Sequence, residues 1–347
     1  MEQTQLTIEQ LEASKTGNKT KDRINFIQAW EKIYFSDTNE DSELFHYIVN
    51  ELDELLPKNI AQFTQDMREN SVGWVTYLME RAKQVDEGYD PDRAYKLIHL
   101  AIKQLRREVN EQVDETTKVA FTATNDYDEK LIREVLNIST EFEIFQVPLS
   151  EAYFILSSVA LAREDETAAI NALAQANQWN PVFMPALLYI GQYFKSRNIV
   201  ERLRMISSFA ANIAIQPESI GGALRLVGYS YYLDGKYEKA YACYHESLRY
   251  GDNPPPTTND EINAILIALN LEEPPTLSSR EVRDLFLGER FFPGPSEVAF
   301  RTLKNVITDL FEEQKYLLVI EYAQVYLESK LDLTVEKLLR LAKEHLS

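Results

Sequence analysis

Four histidines, one cysteine and a few knots of acid are the residues of this chain whose types could do chemistry. Imidazoles that bind zinc or relay protons stand three or four residues apart on a helix, or converge with thiolates and carboxylates. His46, His99, His245 and His345 stand nowhere within helical reach of one another, so each reads as a structural or surface histidine. Cys243 is the only cysteine, which excludes a disulfide framework within one chain. His245 follows it by two residues and points to another part of a helix, so Cys243 reads as an inert packed thiol. Asp37, Asn39 and Asp41 imitate the opening of a calcium loop. However, Ser42 stands where the sharp turn needs Gly, and Ile48 where the bidentate Glu belongs, which leaves a helix-capping loop. Glu164, Asp165 and Glu166 sit together in a tight turn, as solvated acids and not a catalytic pair. Gly221-Gly222 is the only glycine pair, and it precedes a helix that needs no ligand. With no phosphate-cradling glycine loop and no serine nucleophile motif, the expectation is no enzyme, no catalytic residue, no metal and no cofactor.

The elements that carry these residues are helical. The chain has 347 residues, 45% apolar, with only 11 Gly, enough for a long continuous core but large for one compact globule. Nowhere do about 18 apolar residues run unbroken, so no membrane span is expected. Residues 1–22 are polar and lack the apolar centre of a secretory signal; a cytoplasmic location follows by default. The net charge is −19, which argues against nucleic acid and anionic membrane surfaces as partners. Because the acids are spread along the chain, solubility of a long helical surface explains them better than attraction to a basic partner.

In chain order, residues 1–20 read as a flexible or loosely helical tail with a short apolar set, Leu6, Ile8 and Leu11. Residues 21–149 form a helical N-terminal region. Its helices cover residues 21–35 and 42–55, a third opens at Pro57, and a pair spans 74–109, where Asp90 caps and Pro91 takes the first turn. Residues 116–124 are ambiguous, Asp126 to Glu129 resembles a capping box, and residues 141–147 alternate as an extended segment would. Residues 255–295 are a proline-interrupted helical insertion opened by Pro254-Pro255-Pro256 and closed by a turn with Phe291 and Phe292. Residues 296–347 hold a helix pair (Leu303, Val306, Leu310, Tyr316, Ala323) and an amphipathic end helix, 334–346, with Val335, Leu338, Leu339, Ala342 and Leu346 on one side.

A helix-pair pattern recurs in residues 150–254. One copy runs Tyr153, Leu156, Ser157, Ala160, Ala169, Leu173, Ala176, Pro181. A second begins Leu187, Ile190, Gly191, Phe194. A third runs Leu224, Val227, Gly228, Tyr231, Gly235, Tyr237, Ala240, Tyr244, Ser247, Pro254. Ser157 and Gly191 are 34 residues apart, and Gly191 and Gly228 are 37, so the second copy carries about three extra residues. Its second helix, about 200–213, has Leu203 where a small residue is expected. Small residues at a crossing let two helices approach, large ones fill the gaps, and a closing Pro sets the next turn. Three such copies in tandem resemble the tetratricopeptide repeat family, and the helix pairs at 74–109 and from Ser296 read as degenerate copies of the same pattern.

The resemblance implies an all-α fold, a right-handed superhelix of antiparallel helix pairs closed by a C-terminal capping helix. It also implies a concave surface lined by each repeat's first helix. By position, that surface holds Phe154, Ser158 and Leu161, then Leu188, Gln192 and Lys195, then Arg225, Tyr229 and Tyr232. Positions where some members clamp a terminal carboxylate hold Phe154, Ser158, Tyr189, Gly222 and Leu226, so that clamp is missing. Two readings stand for the aromatics: they pack on flanking helices, or they hold a partner. The function implied is a non-enzymatic adaptor, scaffold or chaperone-like protein that binds a polypeptide segment. The alternative is a peptide-responsive regulator that changes conformation on binding. Self-association stays open.

Overall fold

The computed structural model describes residues 7–34, 43–55, 72–112, 119–136, 142–251, 254–289 and 291–346. Helix dominates, with consecutive helices packed as pairs, and among the described residues the fold is all-α apart from one pair of short strands. Among the described residues no helix is long and apolar enough to cross a membrane. The chain divides into two units, residues 1–113 with 155–169, and residues 114–154 with 170–347.

The first unit begins with α1 (Ile8–Ser14), whose capping box joins Thr7 and Gln10. Read as tail from the sequence, it buries Leu11, and the following Lys15 reaches Glu51 at 3.1 Å. Then come α2 (Lys19–Tyr34), α3 (Glu43–Leu55), α4 (Val72–Lys83) and α5 (Pro91–Gln112). The helix expected to open at Pro57 and the calcium-loop imitation at residues 37–41 lie outside the described residues. Phe26, Trp30, Ile48, Leu52, Tyr77 and Leu78 are almost fully buried, with Trp30 edge-on to Tyr77 at 5.8 Å. Asp90 accepts the backbone N–H of Asp92 at 2.9 Å and Pro91 opens α5, as its sequence predicts. Before it, Gly88 turns the chain at φ +95°, a conformation that glycine adopts without strain. Ala94, Leu97, Ile98, Ala101, Leu105 and Val109 are buried at helical spacing, and α5 lies against α4.

The second unit opens with β1 (Val119–Ala123), α6 (Asp126–Val135) and β2 (Phe142–Gln146). The strands are parallel, with Val119 opposite Phe142 and Ala123 opposite Gln146. Parallel strands need a crossover connection, and α6 supplies it. The extended reading of 141–147 thus finds its partner in the stretch that the sequence left ambiguous. The cap of α6 differs from the reading: Asn125, not Asp126, is the N-cap, accepting the N–H of Asp128 at 2.9 Å. Asp128 instead points inward and accepts from Thr124 Oγ1 at 2.6 Å and Asn180 Nδ2 at 2.9 Å. Tyr127 donates to the Ile213 carbonyl at 3.0 Å.

α7 (Leu149–Ala162) and α8 (Glu166–Trp179) follow, their residues 155–169 belonging to the first unit. The acids between them do local work. Glu164 takes φ +60°, and Asp165 accepts the N–H of Ala168 at 2.9 Å. Next come α9 (Met184–Ser196) with α10 (Val200–Ile213), then α11 (Pro217–Leu233) with α12 (Tyr237–Ser247). α10 has 14 residues, like α8, whereas α11 has 17 against 13 in α9. The loop before α11 is one residue shorter than that before α9, so the four additional residues of α11 account for the surplus of three and form an additional N-terminal turn. That turn places Gly221 and Gly222 inside the helix and not before it. Leu203, unexpected from the repeat pattern, is fully buried.

α13 (Thr257–Ala268) and α14 (Ser279–Leu285) make the insertion, and Tyr241 donates to the Pro275 carbonyl at 2.7 Å between them. Phe291 is buried edge-on to Phe286, while Phe292 stays 46% exposed. α15 (Glu297–Glu312), α16 (Tyr316–Ser329) and α17 (Leu333–Leu346) end the chain. α15 packs against α6 and α10 as well as α16 and α17. Lys130 pairs with Asp309, and Glu134 accepts from Arg301 and Thr302. α17 buries Val335 and Ala342.

Candidate functional site

Most of the residues expected on the concave face lie on α9 and α11 of the second unit: α9 lies against α11, and α11 against α13. Glycines make the close approaches. A Cβ on Gly191 would stand 2.7 Å from Leu226 Cδ1, and one on Gly228 would stand 2.8 Å from the Tyr244 ring. Both are far inside ordinary contact, so these two repeat positions are small because a neighbouring side chain occupies the space.

Leu188 sits over Gly222, its Cδ atoms 3.8 Å from where a Cβ would be. Two helical turns on, Lys195 lies over the Tyr229 ring, 4.6 Å from its centroid. Lys195 also pairs with Glu261 of α13, both side chains under one-fifth exposed. The second oxygen of Glu261 accepts the Tyr244 hydroxyl at 2.6 Å. One carboxylate thus ties α13 to α9 and α12. Burial, then Glu261, pushes the Tyr244 phenol far above its ordinary range, so it remains a donor. Tyr229 is raised by burial, with Glu261 and Tyr232 adding to it. Tyr229, Tyr232 and Tyr237 form a tilted row at 6.0 and 5.8 Å.

Arg225 is half-buried. A Cβ on Gly221 would stand 3.1 Å from its Nη1, 3.1 Å from the Ser247 carbonyl and 2.6 Å from the Tyr250 carbonyl. The guanidinium therefore folds back to the carbonyl-rich end of α12, where a helix favours a cation. Burial lowers its pKa from the usual arginine value, offset by Tyr244 and Glu261. Among the described residues, no carboxylate forms an ion pair with it.

The residues expected on the concave face divide accordingly. Leu188, Lys195, Arg225, Tyr229 and Tyr232 come together, with Gln192 exposed on α9. Phe154 packs edge-on against Phe183 at 5.9 Å and Tyr189 at 5.3 Å, which is the packing reading of that aromatic. Ser158 is half-buried and Leu161 is 46% exposed, both in the first unit. The charge of Lys195, a residue that the resemblance places on the concave face, is met within the chain by Glu261. Sequence reasoning missed Glu261 and Tyr244 as neighbours of Lys195 and Tyr229. Glu261 lies in the insertion, beyond the repeat pattern, and nothing in its spacing marks it out.

Each histidine whose side chain is described lies beside an aromatic ring. His99 lies 4.3 Å from the Tyr95 ring, His245 lies 6.0 Å from Tyr241, and His345 stacks on Tyr316 at 4.5 Å. The side chain of His46 lies outside the described residues. Cys243 is fully buried, and burial pushes its thiol well up. Among the described residues, no three His, Cys, Asp or Glu gather as metal ligands would. No protein-family model matches the chain, and no curated protein matches it.

Proposed function

We propose that this protein is a non-enzymatic adaptor that holds a polypeptide segment on the face shared by α9, α11 and α13, in a helix-pair array of the tetratricopeptide type. The observation that carries this reading is Arg225. It is a half-buried cation with no ion pair to a described carboxylate, beside Gly222 as Leu188 is, and on the same helix as the Tyr229–Tyr232 row. Aromatics and arginine are the groups that anchor interfaces, and truncating a central anchor costs about 2 kcal/mol or more, roughly a thirtyfold loss of affinity. Tyr229→Ala with Tyr232→Ala should therefore weaken capture of a partner isolated by affinity purification while the helical circular-dichroism spectrum is kept. A folded double variant that retains the partner at wild-type affinity overturns the reading.

A second reading, a regulator that changes conformation when a peptide binds, is favoured by the Lys195–Glu261 pair. A ligand carboxylate competing for Lys195 would release α13 from α9. A peptide-dependent change in the small-angle scattering profile separates this regulator from a static adaptor.

A further inference from the structure

The outward face of α5 runs against the composition of the chain. Acids outnumber Lys and Arg by 55 to 36, yet Lys96, His99, Lys103 and Arg106 occupy successive exposed positions of that helix. At about 100° per residue they fall within about 40° of one line along the helix, with Arg107 beside them. Among the described residues, Lys96, Lys103 and Arg106 form no ion pair. The acids of the helix are turned away or engaged: Asp92 holds Arg163 at 2.8 Å, Glu111 holds Arg107 at 3.3 Å, and Glu108 lies about 140° round from Lys103. Between the cations is a shallow open depression lined by His99, Ile102, Lys103, Arg106, Arg107 and Asn110. Burial, then the charge of Arg163, holds His99 below its ordinary pKa, so the permanent charge of the face comes from its lysines and arginines.

We propose that this face of α5 is a docking surface for a short acidic polypeptide segment, separate from the groove. Charge complementarity selects the occupant, and size selects among polyanions. The ridge from Lys96 to Arg107 is about 17 Å long at 1.5 Å per residue, and fields are screened within about 8 Å at physiological salt. A segment a few turns long meets only the ridge. A nucleic acid or an anionic bilayer extends past it and meets the rest of a chain of charge −19. Insertion into a bilayer is also closed to α5, because its apolar side already forms the core of its unit. Acids at three- and four-residue spacing on a partner helix would match the spacing of the cations.

The test uses the full chain and a fluorescent alanine-based peptide of about 16 residues with Glu at alternating three- and four-residue spacings, read by anisotropy. The same peptide with Gln for Glu, a single-stranded oligonucleotide of similar charge and phosphatidylserine vesicles are the comparison probes. The Glu peptide should bind, weaken as salt rises, and lose about tenfold or more with Lys96→Glu, Lys103→Glu and Arg106→Glu combined. The milder triple change to Gln should give a smaller loss at unchanged helicity. Tyr229→Ala with Tyr232→Ala should leave this binding intact, which keeps it distinct from the groove. Equal binding of the Gln peptide, indifference to the triple variants, or ridge-dependent binding of oligonucleotide or vesicles in preference to the Glu peptide each overturns the proposal.

Discussion

Glu261 concentrates two roles in one side chain, charge partner to Lys195 and acceptor for Tyr244. Glu261→Gln keeps an acceptor for the phenol and removes the charge, leaving Lys195 in a mostly buried place. A cost of about 1–2 kcal/mol is expected, smaller than for a fully buried pair, and urea denaturation measures it. Lys195→Met in the same background should recover part of that loss, because the stranded cation goes with it. Gly228→Ala tests packing alone. The added methyl meets the Tyr244 ring at 2.8 Å and Cys243 Cβ at 3.1 Å, and should cost about 1–3 kcal/mol; a stability within error of wild type would mean the α11–α12 crossing yields. At this scale the sequence was informative where a residue's size was dictated by a neighbour, as at Gly191, Gly228 and Cys243. It was silent where a polar partner came from another segment, as with Glu261, because no local periodicity records a bond across 66 residues.

Helix boundaries were legible from caps and periodicity. α5 opens at Pro91 as read, whereas the start of α6 falls one residue from its reading, with Asn125 as the cap. Less legible was where the 37 residues between Gly191 and Gly228 place their surplus: the spacing assigns it to the second copy of the pattern, and it lies in the first turn of α11, since one extra helical turn leaves the inward side chains nearly in register. Of the two strands, β2 matches the extended reading of 141–147, whereas β1 and the pairing escaped: each strand is five residues long, and the pairing of parallel strands depends on a partner beyond the crossover. The end helix was read from its stripe, and Val335 and Ala342 are fully buried. Removing residues 332–347 should expose part of the core beneath α15 and α16 and turn a clean thermal melt into aggregation, followed by light scattering. A monomeric truncated chain with an unchanged melt would make α17 dispensable.

Across the whole molecule, the titration of paired carboxylates sets how stability responds to acid. Asp22, bonded by Thr16, and Glu289, bonded by Lys239, are held below the usual carboxylate range. Burial raises Asp234, Glu134 and Asp332, but their bonds to Arg204, to Thr302 with Arg301, and to Lys304 outweigh it and leave them low. A depressed carboxylate stabilises the fold above its unfolded pKa, near 4, and that contribution is lost as pH falls through the folded value. Asp128 has the opposite sign, raised by burial, so its part is present at low pH and lost as pH rises. His99, depressed by burial and Arg163, subtracts a little as pH drops below about 6.5. The urea midpoint should therefore slip gently from neutrality and fall steeply below about pH 4.5; a midpoint constant down to pH 3 would contradict these assignments. A last consequence follows from α15 resting on α6 and α10, with Lys130 and Glu134 bonded to residues more than 160 positions later. A stack whose units touch only their neighbours can fray from either end, one unit at a time. Here the last hairpin is fastened to the beginning of its own unit, so fraying at that end must also break bonds made at the start. The second unit should consequently open as a single cooperative block, and its folding must wait for a closure that spans most of its length.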